Sequence, residues 1–218
     1  MDAPDSRRTD LSNLRFIAIA ASAGGVTALP ELLAGLPADL GAAVAIVQHR
    51  VPAKDTHLQW LLSRRALLPI ATASDGLLIQ SGTVYVASSE NHLTVTEDGR
   101  FSHEDGFRVH GLRSAANPLF QSASRVFRER AIAVVLTGNG SDGSAGVREI
   151  AKMGGVVIAQ DKTTAEYFGM PQAAIETGVV DYVLPLCSIA SALVQIVRGR
   201  TRAGRLNATG ADDQLVSS

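Results

Sequence analysis

Phe16-Ile-Ala-Ile-Ala20 runs into Ala21-Ser-Ala-Gly-Gly25, and Leu29, Leu32, Leu33 and Leu36 follow. The first segment is short, apolar and uninterrupted, as a strand covered on both faces must be. The small residues after it permit a tight turn. The leucines recur at i, i+3, i+4 and i+7, which is one buried stripe of a helix. Strand, glycine turn and helix in that order are the first half of a parallel crossover. Thr27 is the expected N-cap, and Pro30 then falls in the first turn, where a missing N–H costs nothing.

The same unit repeats. Val44-Ala-Ile-Val47 predicts a second buried strand, and Asp55 a cap for a helix carrying Leu58, Leu61 and Leu62. Asn117-Pro118 predicts a helix start with Asn at the N-cap and Pro at N1, burying Leu119, Phe120, Ala123, Val126 and Phe127. Ile132-Ala-Val-Val-Leu136 is the clearest strand. It enters Thr137-Gly-Asn-Gly-Ser-Asp-Gly143, and a helix to about Met153 follows. Gly155–Ile158 and Val180–Leu184 are further strands; Pro171 opens a short helix closed by Gly178, and Ser188 caps a final helix. Thr83–Val86 and Leu93–Thr96 look different: two short strands, expected as a hairpin at a sheet edge. The fold class expected is α/β: a doubly wound, mainly parallel sheet with helices on both faces and a small antiparallel hairpin at one edge. Residues 1–13 are expected to be a disordered lead-in, 14–199 one folded domain, and 200–218 a flexible tail.

Composition sets the outer bounds. The chain has 218 residues, 46% hydrophobic and 19% charged, enough for a large core and too apolar for a disordered chain. Its net charge of −1 argues against nucleic acid as a partner, since phosphate binding needs a Lys/Arg excess. One cysteine, Cys187, excludes an internal disulfide framework and a multi-thiolate zinc site. No apolar run is long enough to span a membrane, and the polar, acidic start does not fit a secretory signal. A cytoplasmic protein is expected.

In open parallel sheets ligands bind outside the carboxyl ends of the strands. Three polar residues stand there: Ser22, His49 and Asp142. A hydroxyl, an imidazole and a carboxylate are the parts of a serine hydrolase, as nucleophile, base and orienting acid. Gly24 and Gly25 leave room beside Ser22, and Gly138, Gly140 and Gly143 could bring further amides to the same point as an oxyanion hole. Each residue also has a plainer reading. Ser22 could be a cap or phosphate contact, His49 structural, and Asp142 a helix N-cap; Asp161 is a competing carboxylate. His57, His92, His103 and His110 read as solvated, and Arg64-Arg65 and Arg128-Glu-Arg130 as solvated helix ends. No metal-ligand spacing occurs, and no cofactor is expected. Three functions stay open on these residues: a serine hydrolase, a binding module with a lapsed site, or a phosphate- or nucleotide-binding α/β enzyme. The chain order Ser–His–Asp differs from the Ser–Asp–His of the common α/β-hydrolases.

Ile17–Gly25, Val47-Gln-His49, Leu136–Gly143, Ala159-Gln-Asp161 and Phe168-Gly-Met-Pro171, in that order, resemble the catalytic domain of the chemotaxis receptor methylesterases, the CheB family. The resemblance runs from about Leu14 to Val197. It implies hydrolysis of glutamate methyl esters, and deamidation of glutamines, on the cytoplasmic helices of methyl-accepting chemotaxis receptors. It implies Ser22 as nucleophile, His49 as base and Asp142 as orienting acid, with Ala23, Gly24, Gly25, Asn139 and Gly140 forming the oxyanion and substrate loops. The family usually carries Gly at Ala20, Thr or Ser at Ala23 and Met at Asn139. A hydroxyl missing at 23 removes one potential oxyanion donor, worth about 10²-fold in rate where it is used. The resemblance also implies a stand-alone catalytic domain, because residues 1–13 cannot form the receiver domain that usually precedes it. Such a domain would be active without phosphorylation or controlled by a separate regulatory protein.

Overall fold

A computed structural model describes residues 11–49, 55–104 and 114–199; the side chains of residues 55–57 lie outside this description. The elements run β1 (Arg15–Ala21), α1 (Gly25–Ala34), β2 (Ala42–Gln48), α2 (Asp55–Ser63), β3 (Ile70–Thr72), β4 (Val84–Val86), β5 (His92–Val95), β6 (Phe101–Glu104), α3 (Ala116–Phe127), β7 (Ala131–Val135), α4 (Ser144–Lys152), β8 (Val156–Gln160), α5 (Gly169–Ile175), β9 (Tyr182–Leu184) and α6 (Leu186–Val197). Seven strands form one sheet in the order β3-β4-β2-β1-β7-β8-β9. Every pairing in it is parallel. The chain leaves β1 toward β2 on one side and later returns to its other side as β7, so the winding reverses there. That reversal opens the crevice in which such sheets bind ligands.

Helices cover both faces. On one, Leu29, Leu32 and Leu33 of α1, Leu58 and Leu62 of α2, and Ile189 and Leu193 of α6 pack on Ile17, Ile19, Val44 and Ile46. On the other, Leu119, Phe120 and Phe127 of α3, Val147 and Ile150 of α4, and Met170 of α5 pack on Phe16, Ala18, Ala133 and Val135. Alternate residues of β1 thus serve opposite cores, which explains why its sequence is apolar throughout. Phe16 stacks on Phe127 with centroids 4.5 Å apart and tilts against Phe101, tying β1, α3 and β6 together. No helix among the described residues is long and apolar enough to cross a membrane.

Several local expectations need correction. The helix α1 starts three residues earlier than Thr27 predicts: Gly24 is its N-cap, in the left-handed region at φ 80°. Pro30 therefore lies inside the helix and removes the hydrogen bond to the carbonyl of Val26, a cost of about 3 kcal/mol. Burial of Leu29, Leu32 and Leu33, about 1.5–3 kcal/mol each, outweighs it. The Thr83–Val86 segment is not half of an edge hairpin. As β4 it lies inside the parallel sheet between β2 and β3, and the hairpin pairs β5 with β6 as a separate two-stranded sheet. Proximity in sequence suggested the wrong partner; burial of Val84 and Val86 against α1 and α2 decides the right one. Helix α6 begins at Leu186 after Pro185, so Ser188 is not its cap, and α5 begins at Gly169, with Pro171 within its first turn. The lead-in before Leu11, the tail after Gly199, and the side-chain cap predicted for Asp55 lie outside the described residues. Leu11 itself packs against Gly99.

Candidate active site

The register of the sheet brings the first two residues together. Ala21 pairs with Gln48, and the N–H of His49 donates to the carbonyl of Ala21 at 3.0 Å. The next pair is Ser22 and His49, about 5 Å apart by strand spacing. On its other side the N–H of Ser22 donates to the carbonyl of Thr137 at 3.0 Å, which continues the pairing of β1 with β7. Ser22 is thus held between the ends of the two strands that carry the other two candidates. Its Oγ makes no hydrogen bond to His49, a looseness common before substrate binds.

His49 and Asp142, 93 positions apart, meet directly. Nε2–H of His49 donates to Oδ2 of Asp142 at 2.7 Å, and the side chains are only 7% and 3% exposed. Since the carboxylate accepts, Nε2 carries the proton of the neutral ring, and Nδ1 is left with a free lone pair. Asp142 also accepts from the backbone N–H groups of Ala116, at 2.6 Å, and Asn117, at 3.2 Å. Burial pushes its carboxyl upward, but the His49 hydrogen bond and those two N–H groups outweigh this and hold it below the ordinary carboxylate value.

That arrangement corrects two cap assignments. Asp142 does not cap the helix that follows it; Gly143, at φ 94°, is the N-cap of α4, and the Asp142 carboxylate caps α3 instead. Asn117 is not the cap of α3 either. It lies within the first turn after Ala115, and its Oδ1 reaches across to accept from the N–H of Gly146 in α4. The two helices exchange caps, and the exchange fixes the carboxylate beneath His49.

The predicted turn residues surround Ser22. The N–H groups of Ala23, Gly24, Asn139 and Gly140 donate to none of the described residues, so four amides remain unpaired in the two turns. Gly138 must be glycine because a Cβ there would lie 2.7 Å from the Cβ of Ser22 and overlap Sδ of Met170. Gly25 lies against Oε1 of Gln48, a contact any side chain would displace. Among the described residues no three His, Cys, Asp or Glu side chains gather to hold a metal ion.

Three supporting residues carry no predicted role. Nε2 of Gln48 donates to the carbonyls of Ser22, at 2.7 Å, and His49, at 3.1 Å, clamping the Ser22 and His49 turns together. Oγ1 of Thr137 donates to the carbonyl of Ala23 and accepts from the N–H of Tyr167, both at 2.9 Å. Oε1 of Gln160 accepts from the N–H of Thr137 at 2.9 Å. Their only signal in the sequence is that each sits inside one of the quoted motifs. Asp161, the competing carboxylate, closes its own turn by accepting from Thr163 and Thr164. Two of the histidines read as solvated are not. His92 is 3% exposed and accepts the N–H of Ala115 at Nδ1, while His103 donates from Nε2 to the carbonyl of Ala73 at 2.6 Å. The side chain of His57 and the whole of His110 lie outside the description.

The CheB methylesterase family model matches residues 17–193. A protein-glutamate methylesterase/protein-glutamine glutaminase of Pyrococcus horikoshii is 40% identical over 195 residues, 87% of this chain and 53% of that protein. One of the same name from Geobacillus kaustophilus is 42% identical over 186 residues, 84% of this chain and 53% of its own length. The chain spans about half the length of these curated relatives. The crystal structure of the Thermotoga maritima CheB methylesterase catalytic domain superposes with a TM-score of 0.80 at 32% identity, over 84% of this chain and 98% of that one. The parallel sheet, the motif order and the extent of these matches together establish that the chain belongs to the CheB methylesterase family.

Proposed function

We propose that the chain is a cytoplasmic serine hydrolase that demethylates glutamate γ-methyl esters, and deamidates glutamines, on the cytoplasmic helices of methyl-accepting chemotaxis receptors. One observation carries the reading: a buried His49–Asp142 pair at 2.7 Å, at the strand end beside Ser22. A histidine so held presents Nδ1 as the base, and Asp142 both fixes that tautomer and supports the charge the ring gains. The names of the relatives supply the substrate class.

The chemistry is acyl transfer. Ser22 Oγ attacks the carbonyl carbon of the ester while Nδ1 of His49 takes its proton. The carbonyl oxygen becomes an oxyanion, for which the open N–H groups of Ala23, Gly24, Asn139 and Gly140 are the candidate donors. The oxyanion collapses, the C–O bond to the methoxy group breaks, and His49 returns the proton so that methanol leaves. Water then attacks the acyl-enzyme with His49 again as base, giving a glutamate carboxylate and free Ser22. With a glutamine the leaving group is ammonia and the steps are otherwise the same.

Methanol release from a methylated receptor fragment, measured for the wild type and Ser22→Ala, tests this. The variant is expected to lose about 10⁴-fold or more in kcat. A fluorophosphonate should label the wild type at Ser22 and leave the variant unlabelled. Undiminished methanol release by the variant would eliminate Ser22 as nucleophile.

A further inference from the structure

A groove of about 600 Å³ opens between α1 and the last turns of α2. Val26 and Pro30 form its α1 wall, and Trp60 and Leu61 its α2 wall. Trp60 is 61% exposed and Val26 55%. A tryptophan used to pack a core is mostly buried, so this indole is doing nothing for the fold. The guanidinium of Arg64 lies over it, 5.6 Å from the ring centroid. Arg65 lines the same opening. Neither arginine forms an ion pair among the described residues, and Glu31 is the only carboxylate in the lining.

The groove's place matters as much as its chemistry. Val26 stands four residues after Ser22, in the first turn of α1, so the groove begins in the helical turn that follows the Ser22 turn. Reaction at Ser22 engages the ester-bearing side chain. The remainder of a protein substrate must be held nearby. A groove of this size takes a few apolar side chains from one face of a helix, not a whole helix. Arg64 and Arg65 give the groove a positive rim, which complements a segment bearing carboxylates.

Resting on the proposed methylesterase activity, we infer that the α1–α2 groove is the docking surface for an acidic amphipathic helix of the protein substrate. Apolar residues one turn apart on that helix enter against Trp60 and Val26, and its carboxylates face Arg64 and Arg65. A second copy of this chain fits less well, because a two-fold contact through this face would bring the arginines toward each other.

The test uses the full chain with two variants, Trp60→Ala and the pair Arg64→Glu with Arg65→Glu. Both alter exposed side chains, and circular dichroism verifies their folding. The substrate is a methyl-labelled cytoplasmic fragment of a chemotaxis receptor; the control is the rate at which a small fluorophosphonate labels Ser22. Each variant should raise KM for the receptor fragment by about 10-fold or more while the labelling rate stays at the wild-type value. Added salt should raise the wild-type KM and leave that of the charge-reversal variant nearly flat. An unchanged KM in both variants overturns the docking surface while leaving the catalytic reading intact. So does an equal loss of fluorophosphonate labelling, or a wild-type dimer in sedimentation that Trp60→Ala dissolves. A wild type that releases no methanol from the receptor fragment, yet labels with fluorophosphonate, overturns the substrate reading and this inference with it.

Discussion

Replacing Asp142 with asparagine removes a charge while keeping shape, and the structure fixes what else it removes. Three donors converge on the carboxylate: Nε2 of His49 and the N–H of Ala116 on Oδ2, and the N–H of Asn117 on Oδ1. An asparagine has one acceptor oxygen. If that oxygen takes the Oδ2 position, its NH₂ faces the N–H of Asn117. If it takes the Oδ1 position, its NH₂ faces Ala116, and the imidazole must accept at Nε2 to remain paired. The proton then moves to Nδ1, and the lone pair proposed as the base is gone. Hydrogen bonds to a buried charge are worth about 1.5–3 kcal/mol each, and one donor is left unpaired in either arrangement, so a loss of about 2–4 kcal/mol in stability is expected. The tautomer exchange should cost about 10⁴ in kcat, the size known for the equivalent change in chymotrypsin-like enzymes. The stability loss has a pH signature. The folded Asp142 carboxyl is held below its unfolded value, so its contribution is fully present above about pH 4 and is lost as pH falls through the folded value. Urea denaturation of wild type and variant from pH 7 to pH 3 should therefore show curves that converge at the acid end. A gap that stays constant over that range, or a kcat within 10-fold of wild type, would refute the placement of a charged acid beneath His49.

Other changes separate positioning from chemistry. Gly138→Ala sets a Cβ 2.7 Å from that of Ser22, and the displacement should lower kcat and cost about 1–3 kcal/mol of stability; normal turnover would show that the serine turn gives way freely. Thr137→Val cuts the links to Ala23 and Tyr167 and leaves a carbonyl and an N–H without partners, so thermal denaturation should show about 1–3 kcal/mol lost. Ala23→Ser returns a hydroxyl beside the open amides; a kcat gain approaching 10²-fold identifies it as an oxyanion donor, and no gain assigns that task to backbone N–H groups alone. Gln48→Leu removes both clamps between the Ser22 and His49 turns, and kcat for methanol release should fall while the affinity for the receptor fragment holds.

The strand–turn–helix rhythm of this chain is local, and local information sufficed for it. Apolar runs such as Ile132–Leu136, glycine turns after them and leucine stripes such as Leu29–Leu36 are each complete within a dozen residues. They placed Ser22, His49 and Asp142 at carboxyl ends of strands without knowledge of which strands are neighbours. Caps and partners were different. Whether Asp142 serves α4 or α3 depends on a helix 26 residues upstream, and whether Thr83–Val86 pairs with its sequence neighbour or enters the sheet depends on burial against α1 and α2. His92 looked solvated because a short polar-flanked strand gives no sign of what will pack on it. The meeting of His49 with Asp142 across 93 residues, and the four amides left unpaired in the two turns, follow from strand order β2-β1-β7. Sequence alone determined which residues are chemically capable and at which edge of the sheet they stand. Only the tertiary structure decided which of them touch, because side-chain contact is set by long-range pairing and packing, and no local propensity encodes it.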